Sequence, residues 1–382
     1  MAFGIICEYN PFHNGHLRQI NEIKRSTDES IICVMSGNFT QRGEVAIADK
    51  YARAQMAIEA GADLVLELPV PFCMASAEYF ASAGVYILKE LGVDKISFGS
   101  ESADADKIMK IAEIAASDEF KEECAMLSKD EGSASAYFDL LAEKSGVEGI
   151  KSNDILAIEY TKAIIKNKYP INICPIKREG SAYRDTELVE GELPSASAIR
   201  ESISNGRFDE IEKFVPSATL YILKSNDLAD IFRIGDGILL ALRLADAENL
   251  DVAISDKGLV NRILTLSHEC TSLDEFEAKL QTKKYTQSAI RRAILYILLG
   301  IKQSDLDTMP AYTTLLGASK KGRAYLSSIR KDERDIKIVT KPADAEQCRQ
   351  LEIDKKADTL YSMCFKHKKR SEFCVKKSPY IE

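Results

Sequence analysis

The sequence predicts a doubly wound α/β fold with a parallel sheet, followed by a mainly α-helical C-terminal domain. Apolar runs in the first half alternate with helical patterns, which indicates strand–helix–strand units with right-handed crossovers. The runs are continuous in Ile, Val, Leu and Phe, as in strands that are buried on both faces. They cover residues 2–9, 30–37, 63–69, 93–101 and 171–180.

Helical patterns fill the segments between these runs. GHLRQINEIKRST follows a polar loop after the first run, and KYARAQMAIEAGA leads into the third. A longer helix, SAEYFASAGVYILKELG, ends at Gly92, a typical C-cap residue. Residues 102–168 are acidic and helix-prone, and a short helix that starts in SASAIR ends at Gly206.

Beyond residue 207 the strand pattern fades and helical patterns dominate, from DEIEKFV at 209–215 to KKGRAYLSSIRK at 320–331. KIVTKP, residues 337–342, is interpreted as a lone strand. A chain of 382 residues exceeds one ordinary core. We therefore predict two domains, residues 1–206 and residues 207–382.

Composition excludes several classes of protein. Hydrophobic residues make up 45% and charged residues 29% of the chain, as in a folded soluble protein. No run reaches the ~18 apolar residues of a membrane span. MAFGIICEYN reaches Glu8 without a basic segment, so we interpret it as a first strand and not as a signal peptide. Nine cysteines without a CxxC pair indicate reduced thiols in the cytoplasm and disfavour structural zinc.

The net charge of −8 hides an asymmetry along the chain. Residues 1–206 contain 21 lysines and arginines against 33 aspartates and glutamates, whereas residues 207–382 contain 30 against 26. Three basic clusters in the second part predict a surface for a polyanion, although each cluster alone is typical of a solvated helix face. The residues assigned to this surface are Lys283, Lys284, Arg291, Arg292, Lys320, Lys321, Arg323, Lys368, Lys369 and Arg370.

The stretch EYNPFHNGHL, residues 8–17, follows the first predicted strand and holds two of the four histidines. Loops at the carboxyl ends of parallel strands form the ligand crevice of such sheets. Gly15 and His16 begin a helix whose N–H groups favour an anion, and Gly15 allows a phosphate to approach closely. The imidazoles of His13 and His16 can stabilise charge on an α-phosphate while pyrophosphate leaves.

Two other interpretations of HxxH are weighed against this one. The spacing is half of a zinc site, but the remaining histidines, His268 and His367, lie in the helical part, so we disfavour catalytic zinc and assign no metal site. The second alternative is a polar turn whose histidines are satisfied by local hydrogen bonds. A Walker loop and a GxGxxG motif are both absent from the sequence.

A second motif, SASAIR at residues 195–200, fits the same phosphate chemistry. Ser195 and Ser197 precede a helix and can cap it or bind phosphate oxygens. Arg200 stands at helical spacing from Ser197, so its guanidinium can reach the same anion. Serine-rich caps with a nearby arginine are common, and the motif gains its weight together with HxGH.

The pair HxGH and SxSxxR resembles the nucleotidylyltransferase superfamily, which implies an HxGH nucleotidylyltransferase-like Rossmann fold. More narrowly, the chain resembles the bacterial tRNA(Met) cytidine acetate ligase family over nearly its whole length. The stretches that carry this resemblance are EYNPFHNGHL, SGNFTQRGEVAIADKYARAQMAIEAGADLVLELP, SFGSE, REGSAYRDTEL, SASAIR, LVNRI and YTQSAIRRAILYILLG.

The resemblance implies that ATP, with Mg²⁺, activates acetate as acetyl-adenylate, and that the acetyl group passes to N4 of the wobble cytidine of elongator tRNA(Met). Residues 1–206 would be the catalytic domain and residues 207–382 the tRNA-binding domain. His13 and His16 would be catalytic. The implied ATP contacts are Cys7, Glu8, Tyr9, Asn10, Pro11, Phe12, His13, Asn14, Gly15, His16, Leu17, Ile20, Gly99, Asn153, Arg178, Ser195, Ser197 and Arg200.

Within residues 38–50, Gln41 and Arg42 are interpreted as a group that binds acetate or the incoming cytidine, or that only orders a loop. Arg184 stands where members of the family often have histidine, and no role is assigned to it.

Two rival functions fit the phosphate motifs. An adenylyltransferase for a small cofactor precursor leaves the basic helical part unexplained, and an RNA-binding relative without catalysis would not need both intact motifs.

Overall fold

The computed structural model describes residues 1–126, 134–147, 150, 152–178, 194–247, 249–282, 284–329 and 334–382. Eight strands in these ranges form one sheet in the order β5-β4-β1-β2-β3-β6-β7, with β8 beside β6. The strands are β1 (Ala2–Cys7), β2 (Ser30–Ser36), β3 (Leu64–Leu68), β4 (Lys95–Ser100), β5 (Asn172–Lys177), β6 (Tyr312–Ala318), β7 (Lys337–Val339) and β8 (Tyr380–Ile381).

Strands β1 to β5 run parallel, as the sequence predicts. Their carboxyl ends therefore share one edge of the sheet, here termed the carboxyl edge, and their amino ends share the opposite amino edge. Along β2, Ile32 and Val34 lie in the core on one face, and Ile31, Cys33 and Met35 lie in the core on the other. Burial on both faces explains the continuous apolar runs.

Seventeen α-helices lie in the described part of the chain. They are α1 (Asn14–Ser26), α2 (Lys50–Glu59), α3 (Ala77–Glu90), α4 (Ala105–Ala116), α5 (Asp118–Met126), α6 (Ala134–Ser145), α7 (Ser152–Asn167), α8 (Ala196–Ser204), α9 (Phe208–Ile211), α10 (Ser217–Ser225), α11 (Gly235–Arg243), α12 (Lys257–Glu269), α13 (Leu273–Leu280), α14 (Gln287–Leu299), α15 (Gln303–Leu306), α16 (Lys320–Ser328) and α17 (Arg349–Ser362). Helices α3, α7 and α17 cover one face of the sheet, and α1, α2, α8 and α10 cover the other. Within these ranges no helix has the length and the apolar character that crossing a membrane requires.

The second part of the chain contributes an internal strand that the sequence did not predict. β6 lies antiparallel to β3 and pairs Ala318 with Leu64. The interpretation that strand patterns fade beyond residue 207 is wrong here, because a short apolar run such as TTLLGA looks the same in a buried strand and in a buried helix. The strand predicted at 337–342 is observed as β7, which pairs with β6.

Helices α11 to α14 have a core of their own, which includes Ile238, Phe276 and Ile294. This core accounts for the mainly helical character that the sequence predicts for the second part. The division at residue 206 stays a prediction, and β6, β7 and β8 extend the sheet of the first part across it.

Candidate active site

The loop after β1 carries the first motif and leads into α1 at the carboxyl edge. His13 is the N-cap of α1: its Nδ1 accepts a hydrogen bond from the backbone N–H of Gly15 at 3.0 Å. His16 accepts a hydrogen bond through its own Nδ1 from the backbone N–H of His13 at 3.2 Å. Such a cap contributes about 1 kcal/mol to helix stability. The two histidines thus play the roles of Ser/Thr and Glu in an ordinary capping box.

These hydrogen bonds fix the protonation state of both imidazoles. A ring nitrogen that accepts a hydrogen bond carries no proton, so the proton of each neutral ring lies on Nε2. Burial, together with the charges of Arg178 and Arg200, lowers the pKa of His13 to about 3. Burial, together with His13 and Arg178, lowers the pKa of His16 well below its ordinary value. At neutral pH each ring is therefore uncharged and has one Nε2–H donor.

Packing holds the two imidazoles in place. Their rings stack with centroids 3.7 Å apart, and the rings of Tyr9 and Phe12 lie 4.7 and 5.5 Å from that of His16. A Cβ at Gly15 would lie 2.8 Å from Cε1 of His13. Glycine is therefore needed at position 15 to make room for the first imidazole.

The second motif meets the first at Arg200. Ser195 is the N-cap of α8, and its Oγ accepts a hydrogen bond from the N–H of Ala198 at 3.1 Å. Arg200 donates through Nη1 to the carbonyl oxygen of Asn10 at 2.9 Å and through Nη2 to Oγ of Ser197 at 3.3 Å. The structure thus brings together two motifs that lie far apart in the sequence.

Asn10 lies at this junction and has an unsatisfied donor. Its Oδ1 accepts a hydrogen bond from the N–H of Ile47 at 2.8 Å. Its Nδ2 is buried and has no hydrogen-bond partner within the described ranges. An orphaned buried donor costs about 1–3 kcal/mol. A phosphate oxygen at this loop would satisfy it, so the residues present fit a bound nucleotide.

The ends of β4 and β5 supply a second cation. The backbone N–H of Arg178 donates to the carbonyl oxygen of Ser100 at 3.0 Å. A Cβ at Gly99 would lie 3.7 Å from Cγ and Cδ of Arg178, so this side chain passes close to the glycine. The charge of Arg178 contributes to the lowered pKa of both His13 and His16.

Asp154 orders the loop after β4 and was missed by sequence reasoning. Its carboxylate accepts hydrogen bonds from Oγ of Ser100 at 2.5 Å and from the N–H of Glu101 at 3.2 Å. The available signal was its place in the first turn of a helix, next to Asn153. The side chain of Asn153 lies outside the part of the chain that the structure describes.

The segment between β2 and α2 packs on the first motif. Gln41 and Arg42 are half-buried there. The N–H of Gln41 donates to the carboxylate of Glu8 at 2.8 Å, and burial raises the pKa of Glu8. Nη1 of Arg292 donates to the carbonyl oxygen of Gln41 at 3.2 Å. The backbone of Gln41 thus lies between the first motif and α14, and Arg42 follows it in the chain.

Arg53 is a buried support of this segment that the sequence did not reveal. It is 0% exposed, and its guanidinium donates to the carbonyl oxygens of Glu8, Ser36, Gly37 and Ala48. Burial lowers its pKa. One cation thus ties the ends of β1 and β2 to the start of α2.

Arg291 also lies against this segment. Its Nη1 is 2.9 Å from Oε1 of Glu44, while Nη2 of Arg200 is 2.9 Å from Oε2 of the same carboxylate. On its other side Arg291 contacts Glu277 at 2.8 Å. Arg291 and Arg292, assigned to tRNA from the sequence, therefore form contacts within the molecule.

The other predicted tRNA residues lie in different places. Lys320, Lys321 and Arg323 are exposed at the amino edge, where Nζ of Lys321 donates to the carbonyl oxygens of Asp28 and Glu29 at 2.5 and 3.1 Å. They lie at the far end of the strands from the first motif.

The cluster at 368–370 lies at the carboxyl edge. The chain just before it reaches that edge through α17, since the hydroxyl of Tyr361 donates to the carbonyl oxygen of Ala46 at 2.8 Å. Lys368 and Arg370 are exposed, and Lys369 lies 3.3 Å from a carboxylate oxygen of Asp227.

The remaining residues that the sequence assigns to ATP or tRNA mostly make contacts within the protein. Lys284 pairs with Asp256 at 3.1 Å, and Lys283 lies outside the described residues. Asn14 donates from its N–H to Phe214 and from Nδ2 to Lys213, at 2.9 Å in both cases. Side chains that pack into or beside the core are those of Cys7, Pro11, Leu17 and Ile20.

The first motif thus presents two neutral imidazole donors, with the guanidinium of Arg200 bonded to the same loop and the charge of Arg178 acting on both histidines. This arrangement suits an anion whose charge grows during a reaction, because the donors are fixed before the charge appears. In the part of the chain that the structure describes, no group of three or more His, Cys, Asp or Glu side chains could hold a metal ion by itself.

Known proteins share this architecture. Residues 1–374 match the HIGH nucleotidyl transferase family. The tRNA(Met) cytidine acetate ligase of Clostridium perfringens strain SM101 is 36% identical over 379 residues, which is 94% of each chain. That of Caldanaerobacter subterraneus subsp. tengcongensis is 38% identical over 394 residues, 96% of each. The apo crystal form I of Thermotoga maritima TmcAL superposes with a TM-score of 0.89 at 30% identity, over 100% of this chain and 99% of that one. The form II bound with alpha-thio ATP gives a TM-score of 0.87 at 29% identity, with the same coverage.

Proposed function

The chain belongs to the tRNA(Met) cytidine acetate ligase family within the HIGH nucleotidyl transferases, and we propose on this premise that it activates acetate with ATP and acetylates N4 of the wobble cytidine of elongator tRNA(Met). The observation that carries the proposal is the contact between Arg200 and the carbonyl oxygen of Asn10, which joins both phosphate motifs around one loop.

In the first step an acetate oxygen attacks the α-phosphorus of ATP and the bond to pyrophosphate breaks. Negative charge grows on the α-phosphate oxygens and on the departing pyrophosphate. The Nε2–H groups of His13 and His16 and the guanidinium groups of Arg178 and Arg200 would stabilise this charge. The histidines need no proton transfer for this role, which is consistent with their lowered pKa values.

In the second step the N4 amine attacks the carbonyl carbon of acetyl-adenylate. The bond from that carbon to the AMP oxygen breaks, AMP leaves, and the amine loses one proton. We place Gln41 and Arg42 beside this reaction because the backbone of Gln41 lies between the first motif and α14.

Elongator tRNA(Met) would approach the carboxyl edge, where Lys368 and Arg370 are exposed. Phosphate contacts from such residues give affinity that falls with salt. Lys320, Lys321 and Arg323 would be secondary contacts, since they lie at the amino edge and Lys321 already bonds the carbonyl groups of neighbouring residues.

Mg²⁺ would enter with the phosphates of ATP, as a hard cation with oxygen ligands. Nine free cysteines and the two substrates, ATP and tRNA, support action in the reducing cytoplasm.

The test is to incubate the protein with ATP, labelled acetate and tRNA, and then to digest the tRNA and look for N4-acetylcytidine. We expect ATP-dependent label in that nucleoside. Pyrophosphate release that requires a small nucleotide-like acceptor instead would favour the cofactor adenylyltransferase, and tRNA binding without turnover would favour a relative that only binds RNA.

A further inference from the structure

We propose that Glu44 is a positioning residue for Arg200, and that Arg291 of the helical part holds Glu44 in the position to do so. The inference rests on the proposed function, because its effect is on the adenylation of acetate. It also assigns to the helical part a role in the ATP half of the reaction, beyond tRNA binding.

The carboxylate of Glu44 bridges two arginines, with one oxygen for each. Oε2 lies 2.9 Å from Nη2 of Arg200, and Oε1 lies 2.9 Å from Nη1 of Arg291. Arg291 is anchored in turn by Glu277, which accepts hydrogen bonds from its Nε and Nη2 at 2.8 to 3.2 Å. A charge-assisted chain therefore runs from α13 and α14 to the second phosphate motif.

The backbone around Glu44 is fixed against the same helix. A Cβ at Gly43 would lie 2.7 Å from the backbone nitrogen of Arg292, so α14 touches the turn directly. The carbonyl oxygen of Glu44 accepts a hydrogen bond from the N–H of Thr40 at 2.9 Å. The place of the carboxylate is thus set by packing between the two parts of the chain.

This contact decides how Arg200 faces the phosphate loop. The guanidinium has five N–H donors, and within the described residues its hydrogen bonds go to Asn10, Ser197 and Glu44. These bonds fix the plane of the guanidinium, so its other N–H groups point in fixed directions from which they can donate to a phosphate oxygen. Without Glu44 the long side chain would keep more rotamers, and its ordering would have to occur when ATP binds.

A carboxylate beside a phosphate-binding arginine would normally weaken the pull on the anion. Arg291 offsets this effect because it shares the negative charge of Glu44. Substitution of Arg291 should therefore weaken ATP binding for two reasons. Glu44 loses the ion pair that holds its carboxylate in place. The negative charge of Glu44 is then compensated by Arg200 alone, which reduces the attraction of Arg200 for phosphate.

Glu277 provides the matched control. Glu44 and Glu277 are both partly buried and both pair with Arg291, but only Glu44 touches Arg200. If the bridge only stabilised the fold, removal of either carboxylate would have the same effect on the use of ATP. A positioning role predicts a larger effect for Glu44.

The experiment compares the full-length wild type with Glu44→Gln, Glu277→Gln, Arg291→Gln and Arg291→Lys. Acetate-dependent exchange of labelled pyrophosphate into ATP is measured without tRNA, and ATP binding is measured by calorimetry. Glu44→Gln and Arg291→Gln should raise the KM for ATP and lower kcat/KM about tenfold. Arg291→Lys should recover part of the loss. Glu277→Gln, which loosens only the anchor of Arg291, should lower the unfolding temperature and raise the KM for ATP less than Glu44→Gln does.

Equal losses of exchange in Glu44→Gln and Glu277→Gln, or no loss in either, would overturn the positioning role. The calorimetry separates this result from a failure of the proposed function. If the wild type shows no acetate-dependent exchange, the acetate reaction is refuted, while weaker ATP binding in Glu44→Gln alone still supports the role of Glu44.

Discussion

The two edges of the central sheet are built from different interactions. At the carboxyl edge, charged side chains from distant segments bond the loops after β1 and β2, as Arg200 does with Asn10 and Arg291 with Glu44. At the amino edge, α16 closes directly on the start of β3, where Gly322 packs against the backbone of Asp63. The same C-terminal part of the chain therefore supports a charged site at one edge and tight packing at the other.

The largest expected effect is on chemistry at the carboxyl edge. His16→Ala removes an Nε2–H donor, so we expect the rate of acetyl-adenylate formation to fall about 10²–10³-fold. Affinity for tRNA should stay unchanged. Single-turnover assays and filter binding measure the two quantities, and His268→Ala, an exposed histidine on α12, is the control. Equal losses of adenylate formation and tRNA affinity would contradict the role given to His16.

At the amino edge the expected effect is on stability. In Gly322→Ala the new Cβ would clash with the carbonyl oxygen of Asp63, so α16 must move. We expect the free energy of unfolding to fall by about 3 kcal/mol, as measured by denaturant titration. Gly237→Ala on α11 is the matched control, because among the described residues no atom beyond its chain neighbours and its own helix backbone lies within 4 Å of the new Cβ. A stable Gly322→Ala protein that has lost pyrophosphate exchange would break the distinction between the edges.

Charge-reversal variants at the two edges test which edge of the sheet binds tRNA. Lys368→Glu with Arg370→Glu should weaken tRNA affinity about tenfold at low salt, and Lys320→Glu with Arg323→Glu only about twofold. Both effects should shrink as salt increases, while ATP binding stays unchanged. Filter binding over a range of salt concentrations measures them. A larger loss from the amino-edge pair would move the proposed tRNA surface to that edge.

The smallest effect concerns pH. His13 stays neutral in the folded protein because burial lowers its pKa to about 3, whereas the unfolded chain binds a proton below its ordinary value of 6.5. The unfolded state therefore binds more protons between these values, and stability falls as pH decreases through this range. Between pH 7 and 5.5 this contributes about 1 kcal/mol. His13→Gln should lower the slope of the unfolding temperature against pH, whereas His367→Gln, at an exposed histidine, should leave it unchanged. Identical slopes for the wild type and His13→Gln would refute the lowered pKa of His13.

Local patterns predicted much of the fold and part of the site. The five parallel strands follow from continuous apolar runs, and the positions of His13, His16 and Arg200 follow from motifs with local helical spacing. The pattern could not separate β6 from a helix, because a seven-residue buried run carries no distinct period.

Long-range charge pairing could not be predicted from the sequence. Glu44 and Arg291 are 247 positions apart, and their contact depends on how α14 packs against the segment after β2. A basic run looks the same whether its arginines face solvent or pair with buried carboxylates. For this reason the sequence groups Arg291 and Arg292 with exposed lysines and gives no sign of the contacts of Arg53 and Asp154.

The most direct test of the central claim is exchange of labelled pyrophosphate into ATP, measured with and without acetate and in the absence of tRNA. A site assembled from both phosphate motifs at the carboxyl edge predicts exchange that requires acetate in the wild type and is lost in Arg200→Gln. Exchange that proceeds without acetate, or that survives in Arg200→Gln, would contradict this account.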